Sequence, residues 1–86
     1  MTIDEKWVKA VEAELGDAHV KCFRAIMASG DDGLTCEEVE QKTGLRHQTA
    51  SARVRELYQR GLIKDKGVRR ETSSKRTAII WVLKHP

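Results

Sequence analysis

Apolar residues recur at spacings of three and four through most of the chain and then form a continuous run near its end. Ile3, Trp7, Val8, Val11 and Leu15 predict an amphipathic helix over residues 3–15. Gly16 should stop it, and Asp17 should cap the next helix. Val20, Phe23, Ile26 and Met27 mark one face of that second helix, roughly residues 18–29, and Gly30-Asp31-Asp32-Gly33 reads as a loop. Thr35-Cys36-Glu37-Glu38 has the form of a capping box, in which the Thr hydroxyl accepts the Glu N–H and the Glu carboxylate reaches back to the Thr N–H. A short helix to about Lys42 follows, with Gly44 suited to the left-handed position beyond its end. Ala50, Val54 and Leu57 form the buried stripe of a helix from about His47 to Arg60, which Gly61 ends. Glu56 and Arg60 stand in the favourable order for a pair four residues apart.

The pattern then changes period. Leu62-Ile63-Lys64-Asp65 begins a strand, residues 66–76 read as a polar, basic loop, and the β-branched and aromatic run Thr77 to Leu83 is a second strand. Leu34 and Thr35 could supply one more short strand. The fold class is α+β and mostly helical: four helices followed by a hairpin. No repeat or linker interrupts it. The last strand is apolar on both faces, with Ile79, Trp81 and Leu83 on one and Ala78, Ile80 and Val82 on the other. One face covers the core, so the other needs the first helix, a second copy of the chain or another partner. Trp7, Val8, Val11, Leu15 and Trp81 are therefore the candidate packing or dimer residues. Trp7, Val11 and Leu15 are expected to be largely buried, against the last strand or a symmetry-related copy.

The 86 residues suffice for one domain with a thin core. No apolar run approaches the roughly 20 residues that span a bilayer, so no membrane association is expected. Residues 1–9 lack the apolar stretch of a secretory leader. Cys22 and Cys36 are too few for a disulfide framework and read as reduced thiols of a cytoplasmic protein. Charge alters the picture most. Residues 1–45 hold five Lys/Arg and ten Asp/Glu, a net −5, while residues 46–86 hold eleven and three, a net +8. Such a split points to a polyanion bound by the second half.

Residues 34–83 resemble the winged helix-turn-helix family of small bacterial and phage regulators. The matching text is Leu34-Thr35 opening a short helix, Thr43-Gly44-Leu45 as the turn, then Arg46-His47-Gln48-Thr49-Ala50-Ser51-Ala52-Arg53-Val54-Arg55-Glu56-Leu57, and Gly61-Leu62-Ile63 at the end. The resemblance implies an N-terminal helix over residues 1–16, for packing or dimerisation, and a winged helix-turn-helix domain over 17–86. It implies sequence-specific binding of double-stranded DNA by a transcriptional regulator, with the fourth helix in the major groove and the basic wing on the backbone or in the minor groove. A homodimer is a candidate assembly, since regulators of this class often read two half-sites.

At ~100° per residue, Gln48, Ala52, Arg55 and Gln59 lie opposite the Ala50–Val54–Leu57 stripe, flanked by Thr49 and Ser51. Gln48, Ser51, Ala52 and Arg55 are the candidates for reading bases: Gln pairs with adenine, Arg with guanine, and an Ala methyl meets the thymine methyl. Arg46, His47, Thr49 and Arg53 on the helix, and Arg69, Arg70, Lys75 and Arg76 on the wing, are the candidates for the sugar-phosphate backbone. Glu71 interrupts the basic wing and is placed to pair with Arg69 or Arg70. No catalytic or metal site is legible. His19 and Cys22 are two ligands without a third, His47 has no nucleophile beside it, and no glycine-rich phosphate cradle is present. Neither a cofactor nor a small-molecule effector is expected, the latter because the chain has no room for a separate effector domain. The rival reading is a protein-interaction module that docks on a polymerase or assembly partner. Exposed Gln48, Arg53 and Arg55 favour DNA over it.

Overall fold

A computed structural model describes residues 4–84. The elements run α1 (Glu5–Ala13), α2 (Asp17–Ala28), a single 3-10 turn (Gly30–Asp32), α3 (Cys36–Thr43), α4 (His47–Gln59), β1 (Ile63–Glu71) and β2 (Thr77–Leu83). The fold is α+β, with four helices and a two-stranded antiparallel sheet among the described residues. Ile3 lies outside them.

α1 starts where Asp4 accepts the N–H groups of Lys6 and Trp7, at 3.0 and 3.4 Å. It ends two residues short of the expected limit. Glu12 and Glu14 bring negative charge to the negative end of the helix, which disfavours a further turn. Gly16, not Asp17, occupies the cap of α2, and Asp17 is its first helical residue. There its carboxylate still faces the positive end of the helix dipole. The predicted capping box of α3 is present, with Thr35 N–H donating to Glu38 Oε1 at 2.8 Å and Glu38 N–H to Thr35 Oγ1 at 3.2 Å. Gly44 closes α3 in the left-handed region, φ +75°, and donates to Glu40 O.

α2, α3 and α4 pack pairwise around Phe23, Ile26, Val39, Ala50, Val54 and Leu57, and the hairpin closes the core with Ile63 and Leu83. Cys22, fully buried, belongs to this core although the predicted stripe omits it. Burying this apolar surface is the principal stabilising term of so small a domain. Trp7, Val8, Val11 and Leu15 are only half-buried at its margin. Trp7 meets Phe23 of α2 edge-on at 5.9 Å, and Glu12 pairs with Arg24 of α2. The first helix thus packs on α2, and the Ile80–Val82 face of the last strand has cover of its own.

That cover comes from the chain itself. The turn at residues 30–33 passes over Ile80 and Val82, and Leu34 makes a single antiparallel bridge to Trp81 through reciprocal bonds of 3.0 and 2.7 Å. Gly33 makes this approach possible. A Cβ there would stand 2.6 Å from both Ile80 Cγ2 and the Trp81 carbonyl oxygen, and its φ of +70° with ψ 178° suits glycine alone.

The hairpin also departs from expectation. Residues 66–71 belong to β1 rather than to a loop. Ile63, Lys64 and Asp65 pair with Leu83, Val82 and Trp81, and Arg69, Arg70 and Glu71 resume pairing with Ile79, Ala78 and Thr77. Between them lies a bulge that the Asp65 carboxylate organises by accepting Gly67 N–H at 2.8 Å and Arg69 Nη1 at 3.1 Å. β1 is an edge strand with a largely exposed surface, so its residues are polar and read as loop.

The two glycines predict different penalties. Gly44→Ala has open space around it and should cost about 1–2 kcal/mol, for the left-handed backbone alone. Gly33→Ala should cost more than about 3 kcal/mol, because contact with a backbone carbonyl adds to the strain. Urea unfolding of both variants checks this, and equal losses would refute the account of Gly33.

Candidate nucleic-acid interface

α4 is oriented by its inner stripe and by two polar struts. Ala50, Val54 and Leu57 are buried, so Gln48, Arg55 and Gln59 point outward and are exposed, with Ala52 half-buried between them. One is a close approach of α4 and α2: within α4 Arg53 Nη2 lies 2.6 Å from Glu56 Oε1, and His19 Nε2 of α2 lies 3.5 Å from the same oxygen without a hydrogen bond. Glu56 therefore serves Arg53 and His19, not Arg60. The other strut joins α4 to α3, with His47 Nδ1 2.8 Å from Glu40 Oε2. Arg53 and His47, both backbone candidates, are thus engaged within the fold. Arg53 sits on the inner flank, about 60° from the buried stripe by helical geometry.

Ser51 faces α3. Its Oγ lies 3.7 Å from Cys36 Sγ of α3, on a half-buried flank of α4 rather than on the outward face. Thr49 is half-buried as well. The helix N-terminus is more open. Arg46 at the cap position is exposed and provides no side-chain cap, and the first turn has no acidic residue. α1 and α3 fill this place with Asp4 and Thr35. The leading N–H groups of α4 accordingly keep their affinity for an anion.

The hairpin divides its cations into two groups. Arg70 is a strut: it donates to Glu38 Oε1 and, at 2.9 Å, to the Asp32 carbonyl oxygen. Arg69 pairs with Asp65 across the bulge at 3.1 Å. Glu71, expected to pair with one of these arginines, pairs with neither. The turn at residues 72–76 is closed by Thr72 N–H to Arg76 O at 2.7 Å and leans on α3 through Ser73 N–H to Glu37, at 3.4 Å. Lys75 and Arg76 on this turn are exposed, and neither has a carboxylate partner among the described residues. The same holds for Arg46 and Arg55.

Both cysteine thiols are shifted by burial. Burial pushes the Cys22 thiol up to about 11, which makes it a poor nucleophile near neutrality. Burial also raises Cys36, against a lowering contribution from Ser51. Among the described residues no group of three or more His, Cys, Asp or Glu could hold a metal ion, and no helix is long and apolar enough to cross a membrane. A scan against known protein families finds no matching family, and a search of curated proteins finds no matching sequence.

The Glu38 node carries a pH prediction. Burial works to raise its carboxyl, but the Thr35 N–H and the Arg70 guanidinium outweigh this and hold it below its usual 4.5. A carboxylate with a depressed folded value contributes stability that is complete above the unfolded value and disappears as pH falls through the folded one. Glu12, held down by Arg24, acts in the same direction. Unfolding free energy should therefore fall as pH drops below about 4.5, and Glu38→Gln should show a shallower acid loss than wild type. An identical acid limb in the variant would contradict the node.

Proposed function

We propose that this chain is a winged helix-turn-helix DNA-binding module, with α4 as its recognition helix and the β1–β2 hairpin as its wing. The observation that carries the reading is the outward face of α4. Gln48 and Arg55 are exposed there without a partner among the described residues, and Ala52 stands between them along the helix. These side chains match base edges in a major groove, which is wide enough to admit a helix. Arg46 and the uncapped helix start supply one backbone contact, and Lys75 and Arg76 supply the wing's contacts. Arg70 serves to fix the wing rather than to touch DNA. No cofactor enters this scheme, and the activity is binding, not catalysis. A transcriptional role in a bacterial or phage-infected cytoplasm, with two copies on a palindrome, completes the reading.

The protein-docking alternative has one feature in its favour, an open groove between α2 and α3 that includes Lys21, Ala25, Ala28 and Leu34. It leaves unexplained why the outward cations of α4 and the turn go without carboxylate partners among the described residues. Selection of bound sequences from a random duplex pool, with a sizing measurement of the complex, tests the main reading. Enrichment of one motif supports it, and the absence of any enriched motif or duplex affinity contradicts it.

Single substitutions separate the contact types. Gln48→Ala and Arg55→Ala should each relax preference at one base position by about 1–3 kcal/mol. Lys75→Ala and Arg76→Ala should weaken binding to all sequences and reduce the salt slope by about one unit each. Titrations of the selected and scrambled duplexes at several salt concentrations read both effects. Equal losses on the two duplexes for all four variants would show that α4 does not read bases.

A further inference from the structure

Of the four Trp, Phe and Tyr side chains, Tyr58 is the one that stays mostly open, with 51 % of its surface accessible. It lies in the last turn of α4, its ring 5.2 Å from that of Trp81 in β2 and tilted by 56°. Trp81 is itself fixed, since its backbone bonds Leu34 on one side and its register partner is Asp65 on the other. Tyr58 is therefore held along one side while the rest of the ring meets solvent. A ring held in this way loses little further side-chain entropy when something stacks on it.

The surroundings are cationic. Arg55 stands three residues before Tyr58, on the neighbouring helical row, exposed and without a carboxylate partner among the described residues. Arg69 pairs with Asp65, the cross-strand neighbour of Trp81, and remains 46 % exposed at its side chain. An open aromatic ring with one arginine a helical turn before it and a second, part-exposed, on the adjoining hairpin is an arrangement that can receive an unpaired base with its phosphates. Bases inside a duplex cannot use such a platform, because both faces of each are already covered by stacked neighbours.

We propose that the seam between α4 and the hairpin binds single-stranded nucleic acid, with one unpaired base stacked on Tyr58 and the adjoining phosphates at Arg55 and Arg69. The proposal rests on the nucleic-acid reading above and extends it to a second form of ligand. Within the proposed scheme the seam adjoins the face assigned to duplex, so the two ligands compete for Arg55. The protein would then hold a locally opened strand, or a single strand in place of its operator.

The test uses the full chain with a labelled oligothymidylate of about 20 nucleotides and, in parallel, a duplex of equal length, read by fluorescence anisotropy. Tyr58→Ala should weaken oligothymidylate binding by about 5- to 150-fold and change duplex binding far less. Tyr58→Phe, which keeps the ring, should bind like wild type. In a Trp7→Phe background Trp81 is the sole tryptophan, and its emission should be quenched by the oligothymidylate. Circular dichroism verifies that each variant is folded. Wild-type affinity of Tyr58→Ala for the single strand overturns the proposal, as does an equal loss on both ligands, which would make Tyr58 a backbone contact. Duplex binding without single-strand binding overturns this inference alone. Absence of both overturns the nucleic-acid reading with it.

Discussion

The carboxylate of Glu38 accepts hydrogen bonds from two parts of the fold. One comes from the Thr35 N–H, which fixes where α3 begins, and the other from the Arg70 guanidinium, which fixes how β1 lies against the helices. Through Arg70 the same node reaches the Asp32 carbonyl and steadies the turn that covers Ile80 and Val82. Once α3 is placed, Gly44 sets the direction of α4, and the buried stripe of α4 sets which residues face away. The orientation of the candidate interface thus follows from a polar contact as much as from the apolar core. A charge-assisted bond of this kind is stronger than a neutral one and more directional than burial.

The division of charge along the chain takes on a more selective meaning in three dimensions. Part of the acidic first half turns toward the basic second half, with Glu38 on Arg70 and Glu40 on His47. Within the second half Glu56 and Asp65 engage Arg53 and Arg69. These pairs are at least partly exposed, and each contributes little stability by itself. Their structural effect is to hold particular cations in place, while others, Arg46, Arg55, Lys75 and Arg76 among them, have no carboxylate partner among the described residues. Under the proposed function, the first set shapes the interface to duplex DNA and the second meets the phosphates and bases of the duplex.

What was legible in the sequence was local. The capping box of Thr35 and Glu38, the left-handed Gly44 and the stripe of Ala50, Val54 and Leu57 each depend on residues within a few positions of one another, and the structure contains all three. What was not legible depends on distant neighbours. Nothing near Gly33 shows that its missing side chain makes room for Ile80 and Val82. The strand at residues 66–71 reads as loop because an edge strand can be polar, and the Asp65 bulge breaks the alternation that would reveal it. On α4, the exposure of Gln48 and Arg55 follows from helical geometry, whereas the contacts of Ser51 and His47 depend on residues of α3, outside their own helix. Residue type alone says nothing of how open Tyr58 is. Only its position at the end of α4, beside Trp81, shows that it is half open.

The central claim is that the outward face of α4 and the turn at residues 72–76 meet DNA, while the struts beneath them do not. Amide and side-chain NMR shifts of the labelled protein, followed as duplex DNA is added, test this residue by residue. The account predicts the largest changes at Arg46, Gln48, Ala52, Arg55, Lys75 and Arg76, with α1 and the side chain of Arg70 little affected. Changes concentrated on α1 or in the α2–α3 groove, with α4 silent, would contradict it.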